Sequence, residues 1–145
     1  MPTPVICWSR RGSKCACPQA VSHRHAWLRE RAAAASHRRF EPSFVLAAAG
    51  DCIKFLPTSK GHNAETIKKM IPKGAKKFKS KMNKEFMVQL DVEGLYGIKC
   101  KPHYQMGMIA LIQVGEVSAD DIEKSSKVKQ RGKAKDRFKL LFAGL

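Results

Sequence analysis

Three residues within one short stretch set the chemistry this chain could do. Cys100, His103 and Met108 follow the pattern C-x2-H-x4-M, and a second histidine, His62, stands well before them in the run Lys60-Gly61-His62-Asn63. Together they offer one thiolate, two imidazoles and one thioether. Thiolate and thioether are soft and suit Cu(I), while imidazole suits both Cu(I) and Cu(II). Two His and one Cys in a trigonal set, with a weak axial Met, make an electron-transfer copper site. Such a set changes little between oxidation states, so an electron passes at a small reorganisation cost. Singly, an inward Cys or Met is more often plain core, and a His is more often a surface residue. The joint order and spacing carry the reading. Met106 would give the shorter C-x2-H-x2-M, and spacing alone does not choose between it and Met108.

The surrounding chain must bring His62 to the end of the element that carries Cys100. Ser43–Ala48 is an apolar run between Pro42 and Gly50-Asp51, which predicts a strand and turn. Cys52–Leu56 follows, with Ile53 and Phe55 on one face and Cys52 and Lys54 on the other; Cys52 reads as a free thiol. Residues 58–84 read as a lysine-rich loop with a short strand at Thr66–Met70. Phe86, Val88, Leu90 and Val92 alternate with Met87, Gln89 and Asp91, the period of a half-buried strand. Gly94 predicts a turn, after which Tyr96, Ile98 and Cys100 share a face opposite Lys99. Met108 to Val114 is apolar on both faces, as a central strand would be. Ser118 with Asp121 predicts a helix cap. Phe138, Leu141, Phe142 and Leu145 then follow helical spacing and predict a final helix packed on the strands. The spacing of the strands predicts an antiparallel sandwich or barrel.

The chain has 145 residues, 43% of them hydrophobic, enough for one packed core. No apolar run approaches the roughly 18 residues a membrane span needs. Five cysteines are too few, and an odd number, for a full disulfide scaffold. Lys plus Arg number 28 against 12 acids, a formal charge of +16 that calls for an anionic partner. The charge is unevenly made. Residues 1–39 hold eight basic residues, seven of them Arg, against Glu30 alone; beyond Phe40 the cations are Lys except Arg131 and Arg137. Both tryptophans and three of the five cysteines also lie in this first stretch.

Residues 40–145 resemble the pseudoazurins, bacterial blue copper proteins of the cupredoxin family. The resemblance rests on Phe40-Glu41-Pro42, Lys60-Gly61-His62-Asn63, Glu65-Thr66-Ile67-Lys68, Met70-Ile71-Pro72, Phe78-Lys79-Ser80-Lys81, Gly94-Leu95-Tyr96-Gly97 and the run from Cys100 to Met108. It implies a mainly β fold, a cupredoxin-like Greek-key β-sandwich with C-terminal α-helices. It implies one copper per chain, held by His62, Cys100, His103 and Met108, with Met108 rather than Met106 as the axial residue. Asn63 resembles the residue that ties the two ligand loops and supports the Cys sulfur, and Pro102 stiffens the ligand loop. The implied role is electron transfer, without enzymatic activity of its own. The implied partner is an acidic redox protein, a copper nitrite reductase or a cytochrome-type one in denitrification, met by a monomer in the periplasm. His103 would be the electron port, with Lys60, Lys79, Lys99, Lys101 and Met106 around the docking face. A basic nucleic-acid-binding protein without copper is the alternative, although no motif supports sequence-specific reading.

Residues 1–39 do not share the resemblance. Arg38 and Arg39 stand where the family has apolar residues, and the family's first strand is expected to be missing or replaced. The composition break reads as a frameshifted or misassigned start, an unassigned basic segment ahead of a copper domain at 40–117 and helices at 118–145. Within it, Ser9-Arg10-Arg11 resembles a twin-arginine signal, but no apolar stretch follows. His25 to Phe40 could form a short helix. Cys15, Cys17, His23 and His25 could hold Zn(II), at a spacing too close for an ordinary finger.

Overall fold

The computed structural model describes residues 5–9 and 38–145. The Arg10-Arg11 pair, the Cys15, Cys17, His23 and His25 set and most of the expected 25–40 helix lie outside these residues. At the end of that helix, residues 38–40 are irregular.

The described strands are β1 (Val5–Ser9), β2 (Phe44–Ala47), β3 (Asp51–Leu56), β4 (Glu65–Thr66), β5 (Phe86–Leu90), β6 (Gly94–Lys99) and β7 (Ile109–Val114). Two helices follow, α1 (Ala119–Ser126) and α2 (Lys133–Ala143). One sheet has the order β1-β3-β5, the other β2-β7-β6-β4. β2 runs parallel to β7, while β6 pairs antiparallel with both β7 and β4. This is the cupredoxin sandwich with its C-terminal helices.

Alternation decides what each strand buries. Ile53 and Phe55 of β3 and Leu90 of β5 meet Tyr96 and Ile98 of β6 and Ala110, Ile112 and Val114 of β7 in one core. Phe40, ahead of the first of these strands, packs edge-on against Phe55 at 6.1 Å. The other face of the second sheet is not left to water. Leu95, Ile109 and Leu111 pack against Ala134 and Phe138 of α2, with Ile122 of α1 alongside. β7 is therefore apolar on both faces because one lines the sandwich and the other lies under the helices. Burying a strand on both sides leaves no polar outlet, so its pattern reads as continuous.

The helix start is as the sequence predicts: the Ser118 hydroxyl accepts from Asp121 N at 3.2 Å. The end differs. α2 stops at Ala143, so Leu145 lies beyond it and is exposed, while Phe138 carries the packing. Residues 67–70 also differ from the expected strand. Met70 N bonds Ile67 O at 2.9 Å, which turns the chain, and Gly97 N then reaches Met70 O at 2.7 Å. The turn folds over β6, so β4 is only two residues long. Gly94 opens β6 instead of forming a turn. Its φ is +138°, and a Cβ there would stand 2.5 Å from Pro72 Cγ, so glycine is needed for both reasons.

One open alternative is settled and one expectation corrected. The backbone of Val5–Ser9 pairs antiparallel with β3, Ser9 opposite Cys52 and Val5 opposite Leu56. The edge of that sheet is therefore covered, and the first strand is replaced rather than missing. Pairing uses backbone groups that every sequence supplies, and Val-Ile-Cys-Trp is rich in strand-favouring residues despite the arginines that follow. Cys52 is disulfide-bonded rather than free. It lies on the side of β3 opposite Ile53 and Phe55, outside the apolar core that keeps a thiol inert.

Tyr96 offers a test of this core. It is 1% exposed, and its hydroxyl donates to Val92 O at 2.7 Å. Burial raises its pKa above the ordinary value. The folded state thus keeps the proton longer than the unfolded chain does. Its contribution is full below about pH 10 and is lost as pH rises through the folded value. Tyr96→Phe should cost about 1 kcal/mol at neutral pH. It should also flatten the loss of stability above about pH 10, as measured by denaturant unfolding across that range.

Candidate metal centre

Two loops deliver the candidate ligands. One, between β3 and β4, carries His62 and Asn63. The other, from Cys100 to Met108, joins β6 to β7. Cys100 follows β6 by one residue and continues its inward alternation, with no exposed surface. The loop then closes on itself. Cys100 N bonds Met108 O at 3.0 Å, and Met108 N bonds His103 O at 3.2 Å. Between them Tyr104–Met106 forms a 3-10 turn, which the strand pattern did not predict, ending on Gly107 at φ +88°. That left-handed position favours glycine, and a Cβ there would also press on the Arg137 side chain at 2.9 Å.

The loops bring three of the four predicted ligands together. Cys100 Sγ lies 3.8 Å from His62 Nδ1 and 3.7 Å from His103 Nδ1, and the two nitrogens are 3.1 Å apart. His62 and Cys100 are buried and His103 is half-buried. A point equidistant from the three donors would lie roughly 2.1 Å from each, within the usual span of metal–imidazole and metal–thiolate bonds. The donor set is soft, and its triangle is the size a metal ion needs. Met108 has no exposed surface and belongs to the same core cluster as Cys100. Met106 is 45% exposed, and its Sδ accepts from Arg38 Nη1 at 2.8 Å.

Burial governs the protonation of these groups. It lowers the pKa of His62, with the neighbouring His103 and then Arg38 adding to the effect. It lowers that of His103 as well, again with Arg38 contributing. It raises that of the Cys100 thiol. Two backbone N–H groups, of Asn63 and His103, point at the sulfur and oppose that rise, while the Glu65 carboxylate adds to it.

Asn63 joins the two loops twice. Its backbone N–H serves the sulfur, and its Oδ1 accepts from Lys101 N at 2.8 Å. Pro102 is exposed on the loop. Three braces were invisible in the sequence. Asn83 holds the first loop, its Oδ1 accepting from Gly61 N and its own N donating to His62 O at 3.0 Å. Arg137 of α2 donates to Gly107 O in the second loop. The Tyr104 hydroxyl bonds Gln130, whose Nε2 reaches Met70 Sδ at 2.9 Å. No local pattern marks such residues, because each acts across a long stretch of chain.

The predicted docking residues divide. Lys79, Lys99 and Lys101 line one groove of about 980 Å³, with six further lysines and a single carboxylate, Glu65. Glu65 is itself paired with Lys99 at 3.3 Å. Lys60 and Met106 are exposed but lie outside that groove. Among the described residues no helix is long and apolar enough to cross a membrane.

Comparison with known proteins agrees with this geometry. The family of copper binding proteins described as the plastocyanin/azurin family matches residues 30–115. Pseudoazurin of Methylorubrum extorquens is 48% identical over 104 residues, which is 72% of this chain and 70% of that one. Pseudoazurin of Paracoccus pantotrophus is 45% identical over 99 residues, 68% of each chain. The crystal structure of pseudoazurin from Methylobacterium extorquens superposes with a TM-score of 0.68 at 47% identity, over 72% of this chain and 84% of that one. That from Hyphomicrobium denitrificans gives 0.68 at 40% identity, over 72% and 83%.

The protonation states set the pH dependence of metal uptake. Ligands must bind deprotonated. Near neutrality both imidazoles are already neutral because their pKa values are lowered, while the thiol keeps its proton because its own is raised. Loading the apoprotein with copper should therefore release about one proton per ion, and affinity should rise with pH until the thiol ionises unaided. A pH-indicator titration at pH 7 measures this, and Cys100→Ser should release none.

Proposed function

The chain belongs to the pseudoazurins, within the plastocyanin/azurin family of copper-binding proteins, and we propose that His62, Cys100, His103 and Met108 hold its single copper. It is an electron-transfer protein and not an enzyme, and it works with a redox protein partner. When bound, copper supplies a centre that gains and loses one electron between Cu(II) and Cu(I).

The observation that carries the ligand assignment is the closed triangle of Cys100 Sγ and the two Nδ1 atoms. The fold makes this triangle in advance, so little must move when the charge changes. Burial of Met108, and the tie of its backbone to Cys100 and His103, support it over Met106 as fourth ligand. Of these four residues His103 is the most exposed, which supports its ring as the path for the electron. Exposed Pro102 and Met106 flank it and form an apolar rim for a transient contact.

The lysines give that contact its direction. Lys60, Lys79, Lys99 and Lys101 attract an acidic redox protein, for which a copper nitrite reductase or a cytochrome-type one in the periplasm of a denitrifying cell fits best. Steering of this kind raises association rates to about 10⁸–10⁹ M⁻¹s⁻¹ at low salt and weakens as salt screens it. A small interface that releases quickly suits a monomeric shuttle.

Visible absorption after Cu(II) loading tests the ligand set. The wild type should show an intense thiolate-to-copper band. Cys100→Ser should lose it, Met106→Leu should keep it, and Met108→Leu should shift it. A folded wild type that stays colourless yet binds DNA with a steep salt dependence contradicts the assignment. In stopped-flow mixing with a copper nitrite reductase, the bimolecular rate should fall with added salt, and more steeply for wild type than for a variant with Lys79, Lys99 and Lys101 all changed to Gln.

A further inference from the structure

We propose that Arg38 is a fixed positive charge built into the rim of the copper site, where it raises the reduction potential and holds Met106 on the docking face. The proposal rests on the copper reading of His62, Cys100 and His103.

Arg38 stands just ahead of the buried Phe40, at the point where the described chain reaches the ligand end of the sandwich. Its Nη1 lies 2.8 Å from Met106 Sδ, across 68 positions of sequence. Thioether sulfur is a weak acceptor, so the contact positions the guanidinium more than it stabilises the fold. Met106 belongs to the 3-10 turn that opens directly after His103, which places the cation beside the most exposed of the candidate ligands.

Glu65 acts on the sulfur but is paired with Lys99 at 3.3 Å. Arg38 has no carboxylate partner among the described residues. A guanidinium is a permanent cation.

The consequence follows from charge alone. One electron, supplied by the donor redox protein, converts Cu(II) to Cu(I), so the oxidised site carries one more positive charge than the reduced site. A nearby cation disfavours the oxidised form and raises the potential, as charged groups outside the ligand shell do. Arg38 is exposed, so salt should weaken the effect. The same guanidinium engages the sulfur of Met106, which keeps that residue at the rim.

Two measurements on the full chain test this. The first is a potentiometric titration of copper-loaded wild type, Arg38→Gln and Arg38→Lys, with Lys139→Gln as an exposed charge change on α2. Arg38→Gln should shift the potential downward, more at low than at high ionic strength, with the thiolate band unchanged in intensity. Arg38→Lys should retain most of the wild-type value, and Lys139→Gln should shift it less than Arg38→Gln. The second is methionine-methyl NMR of the copper-free chain, in which Arg38→Gln should move the Met106 resonance and leave Met108 in place. The proposal is overturned if Arg38→Gln keeps the wild-type potential at low salt, if Arg38→Lys falls as far as Arg38→Gln, or if the Met106 resonance does not move. The NMR readout needs no copper, so it stands apart from any failure of the ligand assignment itself.

Discussion

A buried sulfur that must carry negative charge is the constraint around which this molecule is arranged. Cys100 has no exposed surface and sits at the end of β6, among the residues that fill the sandwich. Ionising a thiol there is costly, which is why its pKa is raised. Two features meet that cost. The N–H groups of Asn63 and His103 point at the sulfur. The copper that the family binds supplies the remaining positive charge. The two N–H groups come from different loops, so the sulfur is served only while both loops hold their places.

The rest of the structure maintains that registration. Asn63 links the loops directly through Lys101 N. Asn83 secures the His62 loop from one side, and α2 secures the Cys100 loop from the other through Arg137. The helices thus do two things at once. They cover the outer apolar face of β6 and β7, and they fix the turn that presents His103 and Met106. A rigid mount of this kind matters for electron transfer, because the donor atoms need not rearrange when the charge changes. The lysine-lined groove and Arg38 lie outside these braces.

The candidate ligands were legible in the sequence because their types are uncommon together and three of them lie within one short loop. His62 stands far from that loop, and it was drawn in by residue type, as the second imidazole of the set, before the family resemblance supported it. The double-sided apolar character of β7 was legible because both of its coverings are strong. Ser118 and Asp121 were legible because a cap is a local bond. What the sequence hid is long-range or sequence-neutral. Asn83, Gln130 and Arg137 look like ordinary surface residues until the fold sets them against a loop. β1 pairs through its backbone inside a stretch whose arginines dominate its composition. Residues 67–70 carry a strand-like pattern, yet their hydrogen bonds curl them over Gly97. Arg38 read as an intruder at an apolar position, and its meeting with Met106 shows only in three dimensions.

The central claim is that one copper is held by two imidazoles and one buried thiolate. X-ray absorption at the copper edge of the loaded wild-type chain measures this directly. The account predicts a shell of two nitrogen neighbours and one sulfur at bonding distance, with the sulfur contribution lost in Cys100→Ser. A spectrum fitted by nitrogen and oxygen neighbours alone would contradict it.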